Sequence, residues 1–387
     1  MSIYFASANS NRIDALAGVR AIAISLVLFR HGIEAIVAKF DIDETSALVT
    51  FISNGWSGVD LFFVLSGFLI GYHLLLKWPE NKADFKPFLK SYAKKRSLRI
   101  LPVYCAGIAL AILIPDWIYS HPSTDITYDL VVHGLFLQDY HNANFIVSLW
   151  SLATEVKFYI IAPFLLLLIR DKSSRYFLVG LVTVIAVILY SQISTLLQTD
   201  WTLTYGHFFW IFRAPFHYAV GGLLIGLCIA LIFVRGEAPS WVKNSGNTIS
   251  FTSIILLMIG LSIQPYMVEG SQWIVGLCFI PIVTLLFSGL LIGAIYSSGL
   301  LNAIYCSKLS HFLSAISYPL YVVHMLVIPL SLEMASSIFE FLSYYLLSSI
   351  ALGLLLHHLI EKPFLKVKDS MKPAIAKVAN QLEGKTS

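Results

Sequence analysis

Ten stretches of this chain are long and apolar enough to be poor solutes in water. They run over 15–38, 54–76, 100–119, 148–169, 177–197, 207–234, 249–267, 272–297, 312–334 and 339–360. About 20 apolar residues in a helix cross the hydrocarbon of a bilayer. Lipid satisfies no backbone N–H or C=O, so a spanning segment is a helix or part of a closed barrel. Runs of this length predict an all-α membrane protein, a polytopic bundle of about ten transmembrane helices. Composition agrees: charged residues are 12% of the chain, about half of what a soluble domain carries. The stretch DLVVHGLFLQ (129–138) is apolar but too short to span and reads as re-entrant or interfacial. The first run is too long for a signal-peptide core and lacks a small-residue cleavage site, so it reads as a retained helix. Cys105, Cys228, Cys278 and Cys306 have no paired spacing and no CxxC, which indicates neither a disulfide framework nor a metal site.

Lys and Arg mark the cytoplasmic loops. The segment 77–99 holds Lys77, Lys82, Lys86, Lys90, Lys94, Lys95, Arg96 and Arg99, and the next loop, 120–147, holds none. Loops 170–176 and 235–248 are basic, whereas 198–206 and 268–271 are not, and basic residues return after 360. Ten spans with both termini in the cytoplasm follow, as an integral membrane domain over 1–365 and a basic cytoplasmic tail over 366–387. The net charge of +4 points to no nucleic-acid partner.

Ionisable groups inside a bilayer are costly and face a cavity or a partner. At 1.5 Å of rise per residue, His31, Asp60, Glu155, Lys157, Arg213, His217 and His324 fall in one layer from the midplane to the outer half. His31 therefore faces a polar chamber shared by several helices. Plainer roles stand beside this one. His324 serves equally as a structural hydrogen-bond partner, Arg213 as the counter-ion of Glu155 or Asp60, and Lys157 as a snorkelling side chain. Glu34, one turn outside His31, reaches the interface. A second signal is KSYAKKRSLRILPVY (90–104). Topology explains its lysines. Arg96 and Arg99, three apart at the mouth of the third span, share a helix face, and guanidinium forks suit phosphate oxygens. Lys95, four residues before Arg99, shares that face.

With these residues placed, nearly the whole chain resembles the acyltransferase-3 family of integral membrane O-acyltransferases. LAGVRAIAISLVLFRH is similar to the family's opening helix, giving Arg20 and His31. GVDLFFVLSGFLIG matches a signature on the second span, and KRSLRILPVY matches Arg-x-x-Arg-Ile-x-Pro-x-Tyr. SLWSLATEVKFYIIAPF gives Trp150, Ser151 and Glu155; ISYPLYVVHM gives Ser317, Tyr318, Tyr321 and His324; IEKPF resembles the ending of the last helix. Ala17, Ala21, Val156 and Lys157 depart from the family's usual residues.

The resemblance implies a stand-alone membrane domain with no fused esterase-like domain, multi-pass in the plasma (bacterial inner) membrane. It implies transfer of an acyl group, most often acetyl, from cytoplasmic acetyl-CoA to a hydroxyl of a carbohydrate or glycolipid such as a surface polysaccharide or O-antigen unit. Arg96 and Arg99, with Arg20 and Lys95, would hold CoA phosphates. His31 would act as general base, with Glu155 or Asp60 orienting its second nitrogen. Arg213, Tyr318 or Tyr321 would stabilise the oxyanion, and His324 would take part in the chemistry. Direct transfer and an acyl-histidine intermediate both fit. A lipid-linked sugar transporter or flippase, and a lipid-modifying membrane-bound O-acyltransferase, are the competing classes.

Overall fold

The computed structural model describes residues 13–43, 46–121, 123–141, 145–198, 205–264 and 272–370. Among them there are helices and no strands, and nine helical segments are long and apolar enough to cross a membrane. The protein is a multi-pass, all-α membrane protein, as the apolar runs predict.

The principal helices are α1 (Leu16–Lys39), α2 (Gly58–Leu76), α3 (Phe85–Leu113), α4 (Ile126–Gly134), α5 (Trp150–Ile169), α6 (Ser174–Leu197), α7 (Gly221–Arg235), α8 (Gly246–Ile263), α9 (Gln272–Ile295), α10 (Lys308–Val323), α11 (Ile338–Leu356) and α12 (Lys362–Ser370). Helix α1 packs against both α2 and α10, and α2 packs most closely against α7. Glycine makes that last crossing close: a Cβ on Gly67 would lie 2.1 Å from the Leu223 carbonyl oxygen, and one on Gly226 would lie 2.1 Å from that of Val64. Any larger side chain at either position would force the two backbones apart.

Four expectations change. The sixth run, 207–234, is not one helix. It begins with Tyr205–Phe208, widens into a π turn over Phe209–Arg213, restarts at Phe216–Ala219 and continues as the short α7. Pro215 has no N–H to donate and its ring clashes with the preceding turn; the Ala214 N–H reaches back five residues to the Phe209 carbonyl instead, at 2.9 Å. π turns of this kind recur at functional sites, and this one carries Arg213. The third run starts earlier than its hydropathy suggests, because the basic segment is already helical from Phe85. The last helix continues past 365: α12 runs to Ser370 and packs on α3, so the 365/366 boundary falls inside a packed helix. Residues 371–387 of the basic tail lie outside the described residues. The first part of the 129–138 stretch lies in the short helix α4, which ends at Gly134 and is too short to span, as expected.

The ninth run is also broken, by a 3-10 turn over His324–Val327 between α10 and a helix over Ile328–Met334. The following Pro329 fits a helix start, where no amide hydrogen is needed. The turn places His324 wholly inside the bundle.

Candidate active site

On the lysine-rich side, α1, α2, α3, α5 and α10 enclose a cavity of about 280 Å³, near the lower end of the usual range for ligand clefts. Arg20, Arg96 and Arg99 line it, with Glu155, Tyr159, Ser151, Tyr318 and Tyr321. Arg96 and Arg99 do share a face, since both border the same space. The Arg96 guanidinium lies 5.4 Å from the Tyr92 ring centroid and 5.1 Å from that of Tyr159. Tyr159 donates its hydroxyl hydrogen to Glu155. Arg20 interacts electrostatically with Arg99, Glu155 and Glu361. Among the described residues no carboxylate lies at salt-bridge distance from Arg20, Arg96 or Arg99. Lys95 is half-buried on the same helix but does not border the cavity.

The far wall is the Tyr321 ring. Its hydroxyl contacts Ser151 Oγ at 2.6 Å and donates to the Ser148 carbonyl at 2.8 Å. Behind it stand two histidines. His324 Nδ1 is 2.8 Å from the Tyr321 carbonyl oxygen, and His324 Nε2 is 3.2 Å from His31 Nδ1. His31 Nδ1 is also 2.9 Å from the Val27 carbonyl oxygen. The ring centroids are 4.9 Å apart.

For a neutral pair these contacts assign the protons. Carbonyl oxygens only accept, so His324 Nδ1 carries hydrogen and its Nε2 is a lone pair. His31 Nδ1 then faces two acceptors and carries the hydrogen between them. The remaining nitrogen, His31 Nε2, is left with a free lone pair, the form a general base needs. The tautomer is assigned here from the hydrogen-bond network. The orienting partner of His31 is therefore His324, not Glu155 or Asp60. Neither carboxylate reaches it: one lies in the cavity with Tyr159 and the other is bound elsewhere.

That other carboxylate is Asp60, in the first turn of α2. Arg213 Nη2 donates to it at 2.9 Å and Nη1 at 3.4 Å, and both side chains are under 10% exposed. The guanidinium also lies 4.3 Å from the Trp56 ring centroid and 5.9 Å from that of Trp150. A guanidinium held on three sides in this way braces α2 against the broken sixth segment, and it does not border the cavity. The oxyanion role considered for Arg213 is thus not supported by its position. Tyr318, though it lines the cavity, donates its hydroxyl to the Ile100 carbonyl at 2.7 Å.

The remaining charged groups are similarly committed. Lys157 pairs with buried Asp139 rather than snorkelling, and Glu34 pairs with Arg30 at 3.1 Å. The loop over the outer side is pinned to the bundle: Asp125 caps α4 through the Tyr128 N–H at 3.0 Å, His133 Nδ1 meets the Tyr104 hydroxyl at 2.8 Å, and His217 Nδ1 meets Tyr140 at 2.9 Å. Burial pushes the Asp139 carboxyl above the ordinary carboxylate range, against the pull of Lys157.

Two features, one lining the cavity and one buried outside its lining, escaped the residue-by-residue reading. Tyr159 sits one turn after Glu155, a spacing that signals contact on a helix. Glu361, in the IEKPF segment, is buried in a π turn over His357–Glu361 and bonded to His357 Nδ1 at 2.7 Å. No local pattern marks a glutamate at a helix end as buried.

The family model described as an acyltransferase domain matches residues 13–358. The chain belongs to this family, the acyltransferase-3 group of membrane acyltransferases. Its relatives include "Putative acetyltransferase ORF330" of Acidianus two-tailed virus, 28% identical over 276 residues, 70% of this chain and 73% of that protein. They also include the peptidoglycan O-acetyltransferase OatA of Listeria monocytogenes, 24% identical over 341 residues, 82% of this chain and 50% of that protein. The chain thus spans about half the length of its peptidoglycan-modifying relative. No solved structure matches.

Proposed function

We propose that the protein transfers an acetyl group from cytoplasmic acetyl-CoA to a hydroxyl of a cell-surface carbohydrate, in the bacterial inner membrane, with His31 as general base. The observation that carries this reading is the alignment of three features along one path. A cavity lined by three arginines and one glutamate, with no direct salt bridge between them, lies on the lysine-rich side, a tyrosine wall closes it, and behind the wall lies a histidine whose Nε2 lone pair is free. A polyanionic donor suits the first, its narrow thioester arm the second, and a proton acceptor the third. Relatives named as acetyltransferases and as a peptidoglycan O-acetyltransferase support the acyl group and the carbohydrate class.

In the reaction the acceptor oxygen attacks the thioester carbonyl carbon. A C–O bond forms, the C–S bond breaks, and the hydroxyl proton passes to His31 Nε2. The departing thiolate takes that proton and leaves as free CoA. His324, accepting from His31 Nδ1, stabilises the imidazolium formed on the way. Arg20, which borders the cavity as Arg213 does not, is the donor best suited to the developing oxyanion, because the Tyr321 hydroxyl already donates to the Ser148 carbonyl.

The test is a reconstituted assay. Protein in oriented vesicles, given labelled acetyl-CoA on the lysine-rich side, is expected to release CoA and to label an acceptor glycan confined to the other side. Transport of a lipid-linked sugar without CoA release would identify a flippase instead. One observation favours a second assignment of the base: Glu155 borders the cavity and His31 does not. Glu155→Gln and His31→Ala separate the two, since the variant of the true base loses turnover while still binding the donor.

A further inference from the structure

The cavity changes character along its length. Helix α2 lines one wall with Phe62, Ser66, Leu69 and His73, a stripe at the spacing of a single helix face. His73 is exposed and stands closest to the basic segment that begins at Lys77, so it marks the lysine-rich end. Phe62 lies about 16 Å deeper along α2, at ~1.5 Å of rise per residue. Polar side chains fade in that direction. The deep end is lined by Val59, Phe62, Phe63 and Leu152, and its two hydroxyls, those of Ser151 and Tyr321, are engaged with each other at 2.6 Å.

The rings that close this end are held from behind. Phe62 and Tyr321 meet edge to face, with centroids 6.0 Å apart and planes at 74°. Tyr321 is buried; its hydroxyl donates to the Ser148 carbonyl at 2.8 Å, and its own carbonyl accepts from His324. Phe63 packs edge to face on Trp150 at 6.0 Å. That indole lies 5.9 Å from the Arg213 guanidinium, which is bound to Asp60. The outer framework thus braces the ceiling of the cavity. A wall that yields does not measure the length of a ligand. A braced and close-packed wall does, because each added methylene has to displace a ring.

Resting on the acyl-CoA reading above, we infer that Phe62 and Tyr321 form the end-stop of an acyl pocket and set the chain length of the donor. With the nucleotide at the arginines, the acyl end of the ligand is the part that reaches these rings. Acetyl fits beneath them, and butyryl meets them. Phe62 is the residue that measures, since it is half-buried against the cavity while Tyr321 is tied to the histidine pair through its backbone.

The experiment is equilibrium competition against labelled acetyl-CoA on purified full-length protein in nanodiscs, a measurement that needs no acceptor. In the wild type butyryl-CoA is expected to compete at least about tenfold more weakly than acetyl-CoA, the scale of one excess methylene in a fitted pocket. Phe62→Ala brings that ratio to one or inverts it, and Phe62→Val, a smaller deletion, moves it part of the way. Leu69→Ala opens space nearer the lysine-rich end of the same stripe and shifts both donors alike. Unacylated CoA competes in the Phe62 variants as it does in the wild type, which reports an intact fold. Three results overturn the end-stop while the acyl-CoA reading stands: a wild type that binds both donors equally, Phe62 variants that bind CoA and keep the wild-type ratio, or a Leu69→Ala ratio that falls as far as that of Phe62→Ala. Phe62 variants that both lose CoA along with the acyl donors make the ring a structural one and overturn it as well. If labelled acetyl-CoA shows no saturable binding to the wild type, the donor reading itself fails and the end-stop falls with it.

Discussion

The lysine-rich and lysine-poor halves of this bundle handle charge in different ways. In the lysine-poor half charged groups are paired: Arg213 with Asp60, Lys157 with Asp139, Arg30 with Glu34. In the lysine-rich half Arg20, Arg96 and Arg99 share a cavity with tyrosine rings and with Glu155, and among the described residues none of the three is at salt-bridge distance from a carboxylate. A buried pair that is already satisfied holds helices together and offers a ligand little. Three arginines facing one carboxylate, with no direct ion pair, leave a net positive cavity that suits a ligand arriving with negative charge. The difference separates framework from binding site inside one membrane domain. Between the two halves stand His31 and His324, which bear no fixed charge.

The largest effect is expected at that junction. His31→Ala should remove transfer by a factor of about 10² to 10⁴, the usual contribution of a general base, while the protein still inserts and binds CoA. A variant that reaches the membrane and acylates at the wild-type rate would sink the histidine's role. Next comes the outer framework. Asp60→Ala strands a buried guanidinium and should cost about 3–5 kcal/mol of stability, read as a large fall in melting temperature in detergent. Replacing both partners, Asp60→Asn with Arg213→Met, should recover much of it. If Asp60→Ala melts like wild type but has lost CoA binding, the pair belongs to the site and the contrast between the halves breaks.

A smaller effect is expected at the cavity arginines. Arg96→Ala and Arg99→Ala should each raise the KM for acetyl-CoA about tenfold, the scale of a lost charge-assisted hydrogen bond, with kcat and melting temperature little changed. The smallest belongs to Lys82 and Lys86, exposed and away from the cavity; alanine there should alter KM by less than about twofold, since an exposed charge contributes little. Equal small effects at all four positions would reduce the arginines to loop charges. The same indifference suits Lys82 to report sidedness. Lys82→Cys should react with an impermeant thiol reagent only from the cytoplasmic face, and Asp41→Cys, exposed between the first two spans, only from outside. Asn54 does not serve, because it is fully buried and donates to the Leu261 and Gln264 carbonyls.

Much of the site was legible from local spacing. Arg96 and Arg99 were expected on one face because helical geometry is periodic, and both border the cavity. His31 and His324 were expected in one layer because rise per residue is constant, and they touch. Partner choice was not legible. His31 was matched to Glu155 or Asp60, yet its neighbour is His324, because the crossing of α1 with α10 and the 3-10 turn at His324 decide which rings meet. For Arg213 the sequence leaves two roles open, oxyanion donor or counter-ion of Glu155 or Asp60, and the π turn ahead of Pro215 aims it at Asp60. Hydropathy counted an unbroken sixth helix for a related reason: an apolar average does not register one missing amide hydrogen.

Length of apolar runs, the placement of lysine and arginine, and the order of short motifs by themselves determined that this is a multi-pass helical membrane protein of the acyltransferase-3 family. These properties follow from solvation of each segment in lipid, and solvation is nearly local. Tertiary structure alone decided which charges cancel, which stay open, and which nitrogen of His31 keeps its lone pair. Those are properties of pairs, set by distances of a few ångströms between helices far apart in the chain, as His31 and His324 are, and no reading along one strand of sequence contains such distances.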